Sequence, residues 1–151
     1  MITIACEQLA DIQQELAPLI TEHWLAVDPD LDEIPLDVDW DGMFEAEAAG
    51  SLITLTARKS GLLVGYLTCF VARHHHYRKS LVAHIDSFWL SPKARSGRSG
   101  ILLFLLLHAM LKDRGVVRVI GQSKTKPGFE IHGLFEYLGY HTTETLFMRR
   151  I

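Results

Sequence analysis

The chain has 151 residues, of which 48% are hydrophobic, and this is enough for one globular domain with a substantial core. We expect no secretory signal or membrane span, because the most apolar run, 101–107, is far shorter than the roughly 20 residues that a bilayer crossing needs. The two cysteines, Cys6 and Cys69, have no CxxC or metal-ligand spacing, so free thiols in a reducing cytoplasm are expected.

The net charge of −3 conceals an uneven distribution along the chain. Thirteen of the 18 acidic residues precede Arg58, the first Lys or Arg, whereas the remainder contains all 15 basic residues and five acidic ones. Such a division is typical of two faces with different partners, an acidic one for cations and a basic one for phosphates. Alternatively, the two halves neutralise each other within the fold or across a homodimer.

The first third of the chain predicts a strand, two helices and an acidic loop. Alternating apolar residues indicate a strand over 1–5, and apolar residues at helical spacing indicate a helix from Leu9 to about Val27. Pro18 is expected to kink or divide that helix. The acidic, proline-containing segment 28–42 is typical of a loop, which leads into a second short helix over 41–49.

The middle of the chain predicts a hairpin and a central strand. Residues 51–58 and 62–72 are rich in Leu, Ile, Val, Thr and aromatic residues, and 59–61 supplies a turn between them. The sequence RHHHYRKS at 73–80 is interpreted as a polar connection. Residues 81–90 then form an apolar strand that ends at a Ser-Pro pair, since proline disfavours continuing a central strand.

A basic loop with glycines leads from this strand into a long apolar helix. The loop 93–100 offers three cations and two glycines, and the helix 101–111 ends near a capping Gly115. Backbone N–H groups at a helix N-terminus lack partners, and the helix dipole favours negative charge there. The sequence therefore predicts an anion site at this loop.

The last third of the chain completes an alternating pattern of strands and helices. Residues 116–121 indicate a strand parallel to the central one, 129–138 a helix closed by Gly139, and 140–149 a final strand. The resulting order is β-α-α-β-β-β-α-β-α-β. This predicts a single α/β domain over 1–151, with a mixed, twisted sheet and helices on both faces.

This order, together with three motifs, resembles the GNAT superfamily of acyl-CoA-dependent N-acyltransferases. The loop Arg95-Ser96-Gly97-Arg98-Ser99-Gly100 is similar to the family's pyrophosphate motif, with Arg98 in place of its middle glycine. The segment LFEYLGY at 134–140 is similar to the family's helix and strand, and ETLFMR at 144–149 to its closing strand. More narrowly, IPLDVDW, HHHYR and HIDSF resemble short phage- and prophage-encoded members.

The resemblance implies roles for particular residues. Backbone groups of Phe88 and Leu90 would contact pantetheine and the oxyanion, and the remaining cofactor contacts would come from Arg95, Ser96, Gly97, Arg98, Ser99, Gly100 and Ser123. The family commonly places its base on the central strand, where His84 and Asp86 are expected to share one face with Phe88 because side chains alternate. His84 is suited to accept an amine proton near neutral pH, and Asp86 could act as base through water, orient His84 or attract a cationic acceptor. The alternative is a structural role for both.

The proton donor to the leaving thiolate is less well defined. The family often uses a tyrosine at the position where this chain has Phe135. Tyr137 is two residues later and is expected to lie on another face of that helix. Water, a hydroxyl such as that of Tyr140 or Tyr66, or direct departure of the thiolate remain as alternatives.

We therefore predict an acetyl-CoA-dependent N-acetyltransferase that transfers directly to a primary amine, with a cationic small molecule, peptide or protein as acceptor. The main alternative is a non-catalytic binding module of the same fold that binds CoA or a protein, since Phe135 replaces the usual tyrosine. A nucleic-acid binder is a third hypothesis, disfavoured because the basic cluster lacks stacking aromatics beyond Tyr77. No metal site is expected at His74, His75 and His76, which lack acidic or cysteine partners at a ligand spacing.

Overall fold

The computed structural model of the chain describes residues 1–28 and 33–151. In this part of the chain, the sheet has the order β1-β2-β3-β4-β5. The first four strands pair in antiparallel fashion and the fifth runs parallel to the fourth, so the predicted mixed sheet is confirmed. The strands are β1 (Ile2–Cys6), β2 (Leu52–Lys59), β3 (Leu62–His74), β4 (Tyr77–Leu90) and β5 (Val116–Ile120).

Helices cover both faces of this sheet, as predicted. On one face, α1 (Leu9–Val27) and α2 (Trp40–Ala48) pack over a cluster that includes Tyr66 and Trp89. On the other, α3 (Ser99–Asp113) and α4 (His132–Tyr137) enclose a larger core. We call these the α1 face and the α3 face.

The helical spacing of apolar residues explains both long helices. The buried residues of α1 recur every three or four positions, and Pro18 lies inside the helix without dividing it. The buried residues of α3 show the same spacing, and Gly115, with a φ of 74°, follows its C-terminus as predicted. Those of α1 are Leu9, Ile12, Leu16 and Leu19, and those of α3 are Ser99, Leu103, Phe104, Leu107 and Leu111.

The hairpin between β2 and β3 is confirmed, and the connection after it is corrected. Ser60 and Gly61 both have positive φ, 51° and 84°, as a two-residue hairpin turn requires. The polar connection predicted over 73–80 is instead a second hairpin, because β3 extends to His74 and β4 begins at Tyr77. Backbone pairing does not require apolar side chains, so an exposed end of a two-stranded ladder can consist of polar residues.

The final strand predicted over 140–149 is wrong for this structure. Residues 140–151 pair with none of the described strands, and Phe147 is 88% exposed. After α4 the chain continues through Tyr140, whose backbone N–H donates to Phe135 O and whose hydroxyl is hydrogen-bonded to His108. Strand propensity alone does not produce a strand without a ladder partner.

Other predicted boundaries shift by a few residues. The helix predicted over 129–138 begins at His132, because Gly128 takes a φ of 84° and the following residues remain in a loop. The acidic loop predicted over 28–42 falls partly on residues 29–32, which lie outside the described residues, and α2 follows it, capped by Asp39. Within the described ranges, none of the helices is long and apolar enough to cross a membrane.

The acidic and basic halves of the sequence meet at Arg58. Its guanidinium forms ion pairs with Glu7 and Glu15, each at 2.9 Å. The hydrogen bond from Arg58 lowers the pKa of the Glu7 carboxyl below its usual range. Part of the charge asymmetry is therefore neutralised within the fold, which is the second of the two interpretations left open by the sequence.

Candidate active site

The two parallel strands, β4 and β5, separate part of the way along β4. The β4–β5 pairing ends at His84 and Ile120, whereas β4 continues to Leu90 while paired with β3 on its other side. Residues 85–90 therefore have one edge that no strand of the described chain covers. Such an edge has backbone donors and acceptors available for a ligand that lies along it.

A cleft of about 340 Å³ lies at this edge. Its walls come from the end of β4, the following loop, the start of α3, and the segment that leads into α4. Five of the predicted cofactor residues line it: Phe88, Leu90, Arg95, Gly97 and Gly100. The other lining residues are Trp89, Ile101, Gly128, Phe129, Glu130, Ile131 and Leu134.

The N-terminus of α3 opens into this cleft. No side chain in the described part of the chain caps the helix, and its first turn has no acidic residue. Gly97, in the loop before the helix, has a φ of 95°, a conformation that favours glycine. A Cβ atom at Gly100 would lie 3.2 Å from the Phe88 ring, so the absence of a side chain leaves room at this point of the cleft. The backbone N–H groups of the first turn of α3 are therefore available at the cleft. They are suited to bind the phosphate groups that the resemblance implies.

The remaining residues of the predicted phosphate loop differ in exposure. Ser96 and Arg98 are exposed, and Arg98 immediately precedes the helix, where its side chain is open to solvent. Ser99 is buried. Ser123 does not itself line the cleft, but its Oγ accepts a 2.8 Å hydrogen bond from the backbone N–H of Ile131, which does.

Arg95 is held in place by the protein itself. Its Nε donates to Leu90 O at 2.9 Å, and its guanidinium lies 4.5 Å from the Trp89 ring centroid and 5.4 Å from that of Phe129. A stacked guanidinium of this kind stabilises the loop through cation–π attraction. Arg95 thus connects the end of β4 to the segment before α4, in addition to lining the cleft.

A β-bulge in β4 changes the predicted arrangement of side chains. Thr68 pairs with Ser87 and Cys69 with Ile85, so Asp86 is the extra residue between them. Before the bulge, Ile85 faces the α3 core, and after it Phe88 does. The expectation that His84 and Asp86 share a face with Phe88 is therefore wrong, because one extra residue reverses the alternation.

The two candidate bases both lie away from the α3 core. His84 lies between Ala83 and Ile85, whose side chains belong to that core, so its own exposed side chain points to the α1 face. Asp86 is also exposed, and its Oδ2 accepts hydrogen bonds from Thr68 Oγ1 at 3.2 Å and Ser87 Oγ at 3.0 Å. A carboxylate held by two donors, yet open to solvent, is suited to accept a proton from a bound amine.

The structure also contains a histidine–tyrosine pair near Asp86 that none of the sequence motifs predicted. His23 Nδ1 lies 2.7 Å from the Tyr66 hydroxyl, and the imidazole stacks on Trp89 with ring centroids 4.8 Å apart. Burial, with the nearby cations Lys124 and Arg95, lowers the pKa of His23 to about 4. Burial raises the pKa of Tyr66 well above its ordinary value, so both groups are uncharged near neutral pH.

The sequence gives only a weak signal for this pair. His23 and Tyr66 are 43 positions apart, on a helix and a strand. His23 does sit on the helix face next to the buried Leu19, where a polar side chain needs a partner.

Phe135 fills the space where β4 and β5 separate. A Cβ atom at Gly121 would lie 2.5 Å from the Phe135 ring, so glycine is required there for this close approach. The Tyr140 hydroxyl lies 2.7 Å from His108 Nε2, on the α3 face, and does not line the cleft. Tyr137 is 69% exposed, as expected for a residue on another face of the helix.

The three consecutive histidines lie at the turn between β3 and β4. His74 Nδ1 accepts a hydrogen bond from the His76 backbone N–H at 3.1 Å, and His74 packs against Tyr77. Across residues 1–28 and 33–151, no group of three or more His, Cys, Asp or Glu side chains is arranged to hold a metal ion.

Comparison with known proteins identifies the fold. No family model matches the sequence, and no curated protein matches it either. Among solved structures, ribosomal-protein-alanine N-acetyltransferase from Brucella melitensis biovar Abortus 2308 superposes with a TM-score of 0.73 at 18% identity, covering 100% of this chain and 99% of that one. A predicted acetyltransferase with acetyl-CoA from Clostridium acetobutylicum gives a TM-score of 0.67 at 12% identity, covering 99% and 96% of the two chains. A transcriptional regulator from Bacillus halodurans C-125 gives 0.73 at 23% identity, covering 99% and 100%.

The fold expected from the GNAT resemblance is thus confirmed over essentially the whole chain. The TM-scores of 0.67–0.73 establish the fold. At sequence identities of only 12–23%, the reaction has to be inferred from the site itself.

Proposed function

We propose that this protein is an acetyl-CoA-dependent N-acetyltransferase that transfers an acetyl group directly to a primary amine. The observation that supports this most is the uncapped N-terminus of α3, which opens into a cleft along the free edge of β4. The same strand carries the exposed carboxylate of Asp86 a few residues away. Acetyl transfer from a CoA thioester requires a site for the phosphate groups and a base for the amine. The N-terminus of α3 and the adjoining strand β4 offer both.

Each part of the site has a distinct proposed task. Backbone N–H groups of Ser99 and Gly100, together with the exposed Arg98, bind the pyrophosphate. The free edge of β4 at Phe88 and Leu90 binds the pantetheine arm and donates to the developing oxyanion. Acetyl-CoA supplies an activated thioester when bound.

Asp86 is assigned as the base that removes the proton from the acceptor amine. Its two hydrogen-bond donors orient the carboxylate, and its exposure allows an acceptor to reach it. His84, on the same face of β4, is the second candidate for this role. Phe135 cannot donate a proton, and neither the Tyr140 hydroxyl nor Tyr66, which is 2% exposed, lines the cleft, so the departing thiolate takes its proton from water or leaves unprotonated.

The acceptor is proposed to be a cationic amine. The helices α1 and α2 belong to the first 57 residues, which contain 13 acidic residues and no Lys or Arg. They cover the α1 face, which is the face to which Asp86 and His84 point. A cation is therefore attracted to the side of the strand where the base lies.

Isothermal titration calorimetry with acetyl-CoA tests the cofactor site. We expect saturable binding, and we expect Arg98→Ala to weaken it by about tenfold, as one lost charge-assisted hydrogen bond would. Arg118→Ala is the matched control, because this exposed arginine lies on β5 against Tyr77 and away from the cleft. An absence of saturable binding to the unmodified protein would refute the proposed function.

A thiol-release assay over a panel of primary amines tests the reaction. Release that depends on the amine, with a preference for di- and polyamines over neutral amines, is the expected outcome. Saturable acetyl-CoA binding without amine-dependent release across the panel would instead support a non-catalytic binding module. That alternative is favoured by Phe135 at the position of the usual tyrosine.

A further inference from the structure

We propose that this protein forms a homodimer in which residues 144–149 of each copy add a strand to the free edge of β5 in the other copy. Neither these residues nor those of β5 line the cofactor cleft. The inference therefore does not depend on the proposed function, and the two are tested by separate measurements.

The segment 141–151, which we call the arm, exposes apolar side chains in an unusual way. All of its residues are exposed, and it belongs to none of the described helices or strands. Leu146, Phe147 and Met148 are 73%, 88% and 71% exposed. Single exposed apolar residues are normal on a protein surface, but a contiguous run of large ones marks a surface that a partner covers.

The arm does not lie along β5 of its own chain. At its start, the Tyr140 hydroxyl is hydrogen-bonded to His108. Near its end, Arg150 forms an ion pair with Glu33, in the segment between α1 and α2. Both side chains of this pair are more than half exposed, so the pair is too weak to hold the arm against a competing strand partner.

The edge of β5 is the complementary surface. This strand is last in the order of the sheet and pairs with β4 along one side, while none of the described strands pairs with its other side. Val117 on β5 is 70% exposed. Backbone N–H and C=O groups along an open edge are a ready template for a strand from another chain. The arm is rich in residues that favour strands, including Thr142, Thr143 and Phe147.

The position of the arm favours a closed dimer on β5. The helix that leads into the arm lies against the end of β5, since a Cβ atom at Gly121 would be 2.5 Å from the Phe135 ring. The arm therefore starts on the β5 side of the sheet, whereas β1 forms the opposite side. Two copies related by a two-fold axis can each place an arm on the β5 edge of the other. An arm placed on β1 would leave an arm and an edge open at the ends and would produce a filament.

Sedimentation velocity over a range of concentrations measures the dimer. We expect the unmodified protein to dimerise, and we expect Phe147→Lys to raise the dimer Kd by about 30-fold or more, as loss of an aromatic anchor does. Val117→Lys should act similarly, because a lysine on an edge strand opposes strand addition. The matched control is Leu62→Lys at the start of β3, where the side chain is also 70% exposed, and its Kd should be unchanged. A monomer at every concentration, or an unchanged Kd in Phe147→Lys, would overturn the proposal.

A mixture of Phe147→Lys and Val117→Lys distinguishes exchange of arms from other dimers. In a mixed dimer the altered arm faces the altered edge, while the other arm and edge are both unmodified. One complete contact is regained, so the mixture should contain more dimer than either variant alone. An interface between two arms would show no such recovery, because every mixed dimer would still contain one altered arm, and the proposal would then be wrong.

Hydrogen exchange of the unmodified protein locates the arm. The backbone amides of 144–149 should be protected in the dimer and should exchange freely on dilution to the monomer. Protection that persists in the monomer would mean that the arm pairs with β5 of its own chain, which contradicts the proposal. A dimer without acetyl transfer would refute only the proposed function, and acetyl transfer by a monomer would refute only this inference.

Discussion

On each face of the sheet, the described chain has a partly buried histidine–tyrosine pair, and the two pairs have the same separation but different surroundings. On the α1 face, His23 and Tyr66 are 2.7 Å apart beside Trp89, and burial together with the charge of the nearby Asp86 raises the pKa of Tyr66. On the α3 face, His108 and Tyr140 are also 2.7 Å apart, but they pack against the rings of Phe104 and Phe135.

This difference shows that the same hydrogen-bonded pair can lie either among aromatic rings or beside an ionisable side chain. The α3 pair joins the segment after α4 to the core among aromatic rings. The α1 pair lies near the exposed carboxylate of Asp86, a group that can exchange a proton with a ligand. Burial raises the pKa of both tyrosines, so the acidity of the hydroxyls does not distinguish the two faces.

The largest effect is expected for Asp86→Asn. Acetyl transfer should fall by about 10² to 10⁴-fold, the usual contribution of a general base, while the affinity for acetyl-CoA is unchanged. Rates from thiol release and affinities from calorimetry give the two quantities. His84→Asn is the comparison, and a greater loss of rate there than in Asp86→Asn would move the base to His84.

A large loss of stability is expected for Phe104→Ala on the α3 face. Phe104 is fully buried and contacts the rings of Phe88, Phe135 and His108. Removal of the ring should lower the free energy of unfolding by about 3–5 kcal/mol, because the residual cavity cannot collapse fully. Leu102→Ala, at a position 38% exposed on the same helix, is the control and should cost less than about 1 kcal/mol in urea unfolding. Equal losses for the two variants would contradict the packing described for this face.

The α3 face was the more predictable of the two. The apolar spacing of α3, its glycine cap and the parallel strand β5 follow from local periodicity, which depends only on neighbouring residues. The bulge at Asp86 does not, because it arises from the register of β4 against β3 and reverses the direction of Phe88. The His23–Tyr66 pair joins residues 43 positions apart, which no local pattern encodes.

Errors at the edges of the sheet have the same origin. The sequence 73–80 is polar but pairs as a hairpin, whereas 140–149 has strand character but no ladder partner among the described strands. Strand formation depends on the availability of a neighbouring backbone, and this is settled only when the whole chain has folded.

The two histidines also predict different pH dependences of stability. Burial lowers the pKa of His23 from its ordinary 6.5 to about 4, so the unfolded chain binds more protons between these values. The free energy of unfolding should therefore decrease as the pH falls from about 6.5 to 4. Urea unfolding of His23→Asn should show a weaker decrease over this interval. The variant His108→Asn should retain most of the decrease in stability seen in the unmodified protein, although burial also lowers the pKa of His108. A steeper decrease in His23→Asn than in the unmodified protein would contradict this assignment.

The smallest effect concerns the hydroxyl of Tyr140, whose loss should destabilise the protein by about 1 kcal/mol. Its local consequence is more informative, because Tyr140 lies near the buried Cys69, whose pKa burial raises to about 12. A thiol in this state reacts slowly with alkylating reagents until the surrounding structure opens. In a Cys6→Ser background, Tyr140→Phe should accelerate alkylation of Cys69, whereas Tyr66→Phe should affect it less because that hydroxyl lies on the opposite face of the sheet. Equal acceleration by both variants would mean that the two faces open together, and the two pairs would then stabilise one cooperative unit.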